Sequence, residues 1–246
     1  RPFQKVQAAQ QGYDITFINT CFENRKMSYY EHCRYRNFEG VAIVCADYND
    51  PDVLELMNSD LPVVTIDYVH HNCTAVSSNN IQGMEDLVKY IYQQGHRKIA
   101  YIHGQENSYV TKDRLASFYR TMDELGLEVP DEYIRTADYL ETKEAARQTR
   151  EILNLPDVPT CIIYPDDTAL IGGRNVIIEM GLRIPRDISV AGYDGTRISQ
   201  LLHPKLTTIR QNTELIGSEA AKRLIGTIEK PRTTLVERVV IEGSLV

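Results

Sequence analysis

The chain has 246 residues, a formal net charge of -7 and a mean hydropathy of -0.34, with 42% of residues hydrophobic and 25% charged; this fits one large soluble domain or two lobes of ordinary size. No apolar run approaches the ~20 residues of a bilayer span, and the densest basic run, His96-Arg97-Lys98, is too short for a surface that grips DNA by itself. Five scattered cysteines (Cys21, Cys33, Cys45, Cys73, Cys161) without CxxC spacing argue against a disulfide framework and for a reducing compartment, with Cys45 and Cys161 inside apolar runs.

Phe3 to Gln11 carries a helical pattern ahead of Gly12, and Ile15 to Ile18 reads as a strand. A doubly wound lobe normally opens with a strand before that helix, so a leading strand is expected to belong to the natural protein and to be missing here. Val41 to Val44 reads as a strand, Asp52 to Met57 as a helix, and Val63 to Ile66 as a strand. From Ile81 the period changes: Met84, Leu87, Val88 and Ile91 share one helix face, and Gly95 stands in the capping position behind it.

Ile99 to Ile102 is the next strand; Leu115, Phe118, Met122 and Leu125 mark a helix ended by Gly126. Ala146, Thr149, Ile152 and Leu153 lie on another helix. Cys161 to Tyr164 is a strand, Asp167 to Met180 a helix stopped at Gly181, and Ile188 to Ala191 a strand. Leu215 to Ile228 reads as a helix and Leu235 to Ile241 as a final strand. Continuous Val/Ile strands indicate a parallel sheet buried on both faces, and repeated βα units give a doubly wound α/β architecture.

No GxxxxGK[ST], GxSxG, HExxH or CxxC signature is present. His70, His71 and Cys73 lack a second ligand cluster in sequence, so no metal site is expected. Asp166 and Asp167 are adjacent, and neighbouring residues on extended chain point apart, which argues against a catalytic acid pair.

Five segments stand in a recognisable order: Gly95-His96-Arg97-Lys98-Ile99-Ala100-Tyr101-Ile102; Arg114-Leu115; Asp166-Asp167-Thr168-Ala169-Leu170; Gly181-Leu182-Arg183-Ile184-Pro185-Arg186-Asp187-Ile188-Ser189-Val190-Ala191-Gly192-Tyr193-Asp194; and Pro204-Lys205-Leu206-Thr207-Thr208-Ile209. From about Gly12 to the C-terminus the chain resembles the effector core of LacI/GalR transcriptional regulators. The resemblance implies a periplasmic-binding-protein type I fold: two Rossmann-like lobes with parallel sheets, joined by three crossing segments near Gly95, near Thr208 to Gln211 and near Pro231 to Thr234. The lobes would be 1–95 plus 209–231, and 96–208 plus 232–246, with a ligand held between them.

The resemblance also implies the site residues. Arg114 matches the family arginine that reaches the ligand; its planar fork can span two hydroxyls or one anionic group. A surface arginine is the plain alternative, but a cation at a helix start opposes the helix dipole. Asp194, at a strand end, can accept from two hydroxyls, or it can cap a helix. Asp166 is expected to face the ligand, with Asp167 capping the helix that follows. Tyr139 offers a ring for stacking, or simply packs. Gln211 can donate and accept, and Asn79 stands where the family usually has Asp. The family often has glycine shortly after the arginine, whereas Ala116 and Ser117 stand here.

The resemblance and the composition together lead to the expectation of a cytoplasmic, ligand-responsive repressor core without catalytic function, cofactor, metal or membrane contact. Its effector would be a sugar or sugar phosphate. Operator DNA would be bound as a homodimer through an N-terminal helix-turn-helix absent from this stretch. A periplasmic sugar-binding protein of a transport system shares the fold and is the alternative.

Overall fold

A computed structural model describes residues 12–18 and 27–246 of the chain, and the helix expected over Phe3 to Gln11 lies outside the described residues. The chain divides into two compact units, Arg1–Ser78 with Asn212–Ile241, and Asn79–Gln211 with Glu242–Val246.

The first unit holds a parallel four-stranded sheet, with β1 (Val41–Ile43), β2 (Val63–Ile66), β3 (Thr74–Ser78) and β9 (Arg238–Ile241) in that order. Helix α1 (Tyr29–Tyr35) starts at a reciprocal cap between Ser28 and Glu31, and α2 (Pro51–Met57) starts at Asp50 with proline in its first turn. Val53, Leu56 and Met57 of α2 pack with Cys33, Ile43, Val63 and Cys73. Helix α8 (Thr213–Glu229) buries Ile216 and Ala220 against Val64, Ile66, Val76 and Ile241.

The second unit holds a six-stranded sheet in the order β10-β8-β7-β6-β4-β5. Its strands are β4 (Ile99–His103), β5 (Ile134–Thr136), β6 (Cys161–Ile163), β7 (Ser189–Asp194), β8 (Thr207–Arg210) and β10 (Ser244–Leu245). All pairings are parallel except β10 with β8. Successive strand residues point to opposite faces, and the core divides accordingly. Ile99, Tyr101, Cys161, Ile163, Ala191 and Tyr193 meet α3 (Asn80–Gln93) and α4 (Tyr109–Glu124). Ala100, Ile102, Ile162 and Val190 meet α5 (Thr142–Leu153) and α6 (Asp167–Glu179). A short helix, α7 (Arg197–Leu201), stands between β7 and β8. Met84, Leu87, Val88 and Ile91 of α3 are all buried, each contributing about 1.5–3 kcal/mol by removal from water. Gly95, Gly126 and Gly181 take the positive φ that the expected helix ends require.

Several expectations are corrected. Residues 13–18 form no strand, because a parallel ladder needs a neighbour and none of the described residues supplies one. The lobe division differs too. Helix α3 was expected in the first lobe but belongs to the second unit, because its apolar stripe packs on β4, β6 and β7. The first crossing therefore falls at Ser78–Asn79 instead of near Gly95. The last falls at Ile241–Glu242 instead of near Pro231 to Thr234, because β9 joins the first sheet beside β3 and only β10 continues the second. Cys45 lies in an apolar run of the sequence but is exposed. His70 Nδ1 lies 3.8 Å from Cys73 Sγ, but among the described residues no three potential ligands gather to hold a metal.

Candidate functional site

The C-terminal ends of the strands in the second unit gather most of the predicted residues. Asp194 closes β7, Asp166 follows β6, Gln211 follows β8, Tyr139 follows β5, and Arg114 projects from the second turn of α4. An open α/β sheet presents its ligand groups along this edge.

Arg114 is 2% exposed and heavily engaged. Its Nε donates to Asn80 Oδ1 at 2.8 Å and its Nη1 to the Pro165 carbonyl at 2.9 Å. The guanidinium carbon lies 3.4 Å from the centroid of the Tyr193 ring and 5.9 Å from that of Tyr139. Its Nη2 is 3.9 Å from Asp194 Oδ1. Burial works against the charge, but Tyr193, Tyr139 and Asp194 outweigh it, so the pKa of Arg114 is raised and the group stays cationic. The unfavourable start of α4 is thereby offset by a ring face, a carbonyl and a carboxylate.

Asp194 has φ 95°, a left-handed value that a non-glycine residue adopts only where its surroundings enforce it. Oδ1 accepts from Gln211 Nε2 at 2.5 Å, and the Gln211 backbone N–H donates to the Asp194 carbonyl. Burial raises the Asp194 pKa, Arg114 opposes that, and the neighbouring Asp166 adds to it. Tyr139 is half-buried; its hydroxyl bonds the Thr111 hydroxyl at 2.8 Å, and its ring occupies the space that a side chain on Gly104 would need.

Two expected residues are otherwise employed. Asp166, and not Asp167, caps α6: Oδ1 accepts from the Thr168 and Ala169 N–H groups at 2.8 and 2.9 Å. Its Oδ2 accepts from Leu140 N at 2.7 Å, which fixes the turn that carries Tyr139. Asp167 instead turns inward, where Oδ2 accepts from the N–H and hydroxyl of Thr196; burial raises its pKa. Asn79 caps α3 by accepting from Gln82 N, and its Nδ2 donates to the Glu242 side-chain Oε1, so both ends of its amide are engaged. Asn80 beside it is the residue that meets Arg114. Asn80 and Tyr193 were not anticipated. The doubled asparagine at a helix start and the aromatic just before Asp194 were the signals available.

The arrangement offers, side by side, a guanidinium donor, a carboxylate acceptor and an amide next to a tyrosine ring. Known proteins share the chain's pattern. Residues 88–246 match the family model of the periplasmic binding protein-like domain. The HTH-type transcriptional repressor PurR of Actinobacillus pleuropneumoniae serotype 3 (strain JL03) is 30% identical over 228 residues, which cover 91% of this chain and 67% of that relative. The chain belongs to the LacI/GalR family.

Solved structures of the family superpose on it closely. A regulatory protein of LacI family from Chloroflexus aggregans is 25% identical with a TM-score of 0.85, covering 99% of this chain and 88% of that one. A LacI family transcriptional regulator from Enterococcus faecium, solved with bound ribose, is 20% identical with a TM-score of 0.84, covering 100% and 90%. As a LacI/GalR member, the chain is the effector-sensing core of a transcriptional repressor, and the relatives are regulators, not transport proteins. Among the described residues no helix is long and apolar enough to cross a membrane.

Proposed function

We propose that the second unit receives a sugar or sugar-derived effector on Asp194, Gln211, Arg114 and the Tyr139 ring, and that the effector sets the protein's affinity for operator DNA. The observation that carries this reading is the Asp194 carboxylate at the end of β7, whose Oδ1 is held by Gln211 Nε2 and lies 3.9 Å from Arg114 Nη2. A donor beside an acceptor matches a pair of hydroxyls, each of which both donates and accepts. The Tyr139 ring suits the C–H face of a pyranose or furanose. Asp166 and Asn79 act by holding the backbone around these groups. The ribose-bound regulator from Enterococcus faecium supports the ligand class only in showing a sugar on this fold.

DNA would be bound by a homodimer through an N-terminal helix-turn-helix, in the cytoplasm, with no catalytic turnover. The effector acts by linkage: binding one conformational state better than another shifts their populations and hence operator affinity, typically by 1–3 kcal/mol of coupling. The test is a thermal-shift and calorimetric screen against free sugars, sugar phosphates and nucleobases. A saturable sugar response that Asp194→Ala and Arg114→Ala weaken, with both variants folded, supports the assignment. A nucleobase response would overturn the ligand class, and unchanged affinity in both variants would overturn the site.

A further inference from the structure

The site hides its cation and shows its anion. The Arg114 side chain is 3% exposed and that of Asp194 is 30% exposed. Asn80 and Pro165 occupy two edges of the guanidinium, and the Tyr193 ring covers one face at 3.4 Å. Behind Asp194 stand Asp166 and Asp167, 1% and 0% exposed, and none of the ion pairs among the described residues includes either of them. Asp194 therefore stands with two further carboxyl groups and one engaged guanidinium around it.

Resting on the reading of this edge as the effector site, we infer that it admits an uncharged or cationic polyhydroxyl ligand, a free sugar or an amino sugar, and excludes phosphorylated and carboxylated ones. The group offered to the ligand is the Asp194 carboxylate. A hydroxyl can donate to it while accepting from Arg114 Nη2 nearby. A phosphate drawn to Arg114 would lie against Asp194 in a partly desolvated place, where like charges a few ångströms apart repel far more strongly than in water. An ammonium group would instead pair with Asp194. Arg114 holds Asp194, Asn80 and the loop at Pro165 while offering Nη2 to a hydroxyl, and is not the receptor for an anion that the sequence alone allowed.

Inorganic phosphate is the first probe, since it requires no knowledge of the effector. Titrated calorimetrically into the whole chain at constant ionic strength, it should give no saturable heat with the unaltered protein. Asp194→Asn keeps the shape, removes the charge, and should gain a phosphate site that Arg114→Gln in the same background abolishes. Asp194→Ser serves if the asparagine variant does not fold. Saturable phosphate binding to the unaltered protein that Arg114→Gln removes would overturn the inference, as would a folded Asp194 variant that gains nothing.

The second probe is the same sugar in free, amino and phosphorylated forms. The phosphorylated form should bind at least about tenfold more weakly, a difference that even one partly screened like-charge contact supplies. Equal affinity would overturn the charge rule and leave the effector site standing. A panel in which no sugar binds, while phosphate behaves as described, would overturn the sugar reading and leave the charge rule standing.

Discussion

The Tyr193 hydroxyl lies 2.2 Å from the point where a β-carbon on Gly83 would stand, so the ring that carries Arg114 reaches its position only because α3 has no side chain there. Gly83 thus acts on the site through two contacts. Gly83→Ala would gain ~0.5–1 kcal/mol of helix propensity. It would lose about 1–3 kcal/mol by overpacking against a ring that is 1% exposed. The expected outcome is a net lower melting temperature and weaker effector binding, since Tyr193 must move and Arg114 rests on it. Gly83→Ala with unaltered melting and affinity would show that the ring relocates freely.

Arg114 itself separates charge from shape. Arg114→Lys keeps the cation but cannot reach Asn80 and Pro165 together or stack flat on Tyr193. Arg114→Met removes the charge and leaves Asp194 without its cation. Breaking a fully buried pair costs about 3–5 kcal/mol, and the partial exposure of Asp194 should reduce this to about 2–3 kcal/mol. Chemical denaturation should rank the unaltered protein above the lysine variant and both above the methionine variant. A lysine variant as stable as the original would show that charge alone holds the site.

Legibility in the sequence tracks how local each feature is. The stripe of α3 and the glycines that end α3, α4 and α6 are local, and the period and capping chemistry reveal them. The partner of the stripe is not local, so α3 was given to the wrong unit. Strands β5 and β8 read Ile-Arg-Thr and Thr-Thr-Ile-Arg, without the continuous apolar run that marks the equally short β1 and β6. Asp166 takes the capping role expected of Asp167, because the cap depends on which residue stands one step outside the helix, and two adjacent aspartates give the same local signal. Asn79 and Asn80 pose the same ambiguity: one caps, and its neighbour turns inward to Arg114. The resemblance pointed to Arg114, Asp194, Gln211 and Tyr139 as site residues, but not to what each touches.

Asp166 joins a helix cap to the turn at Tyr139. Leu140 sits at φ 64°, an unfavourable value for a bulky residue, and its N–H is held by Asp166 Oδ2. Serine caps helices as well as aspartate does but has only one oxygen. Asp166→Ser should therefore melt close to the original while binding the effector more weakly, because the Tyr139 turn is released. Asp166→Ala should lose about 1–2 kcal/mol of stability as well. If Asp166→Ser keeps both its stability and full affinity, the carboxylate is a cap alone.

The acid side of the stability profile carries a sign opposite to the usual carboxylate case. Burial raises the pKa of Asp194, with Arg114 opposing and Asp166 reinforcing; burial likewise raises that of Asp167, with hydrogen bonds from Thr208 and Thr196 opposing. The groups around Asp194 are Arg114 from α4, Asp166 and Asp167 at the start of α6, Tyr139 after β5, and Gln211 after β8. A carboxyl group whose pKa is higher in the folded state binds its proton more tightly there than in the unfolded chain. Its stabilising contribution is complete below the unfolded value of 3.8 and is lost as pH rises through the folded value. Asp194→Asn should remove that loss, so the variant should gain stability relative to the original as pH rises across this window, less whatever it forfeits at Arg114. Effector affinity should run the other way, falling in the unaltered protein as acid protonates Asp194, because a neutral carboxyl accepts hydroxyl protons more weakly. Melting curves and calorimetric titrations from about pH 4 to pH 7 test both slopes. A difference between the two proteins that does not vary with pH would mean that Asp194 is ionised throughout and is held by Arg114 more strongly than burial opposes it.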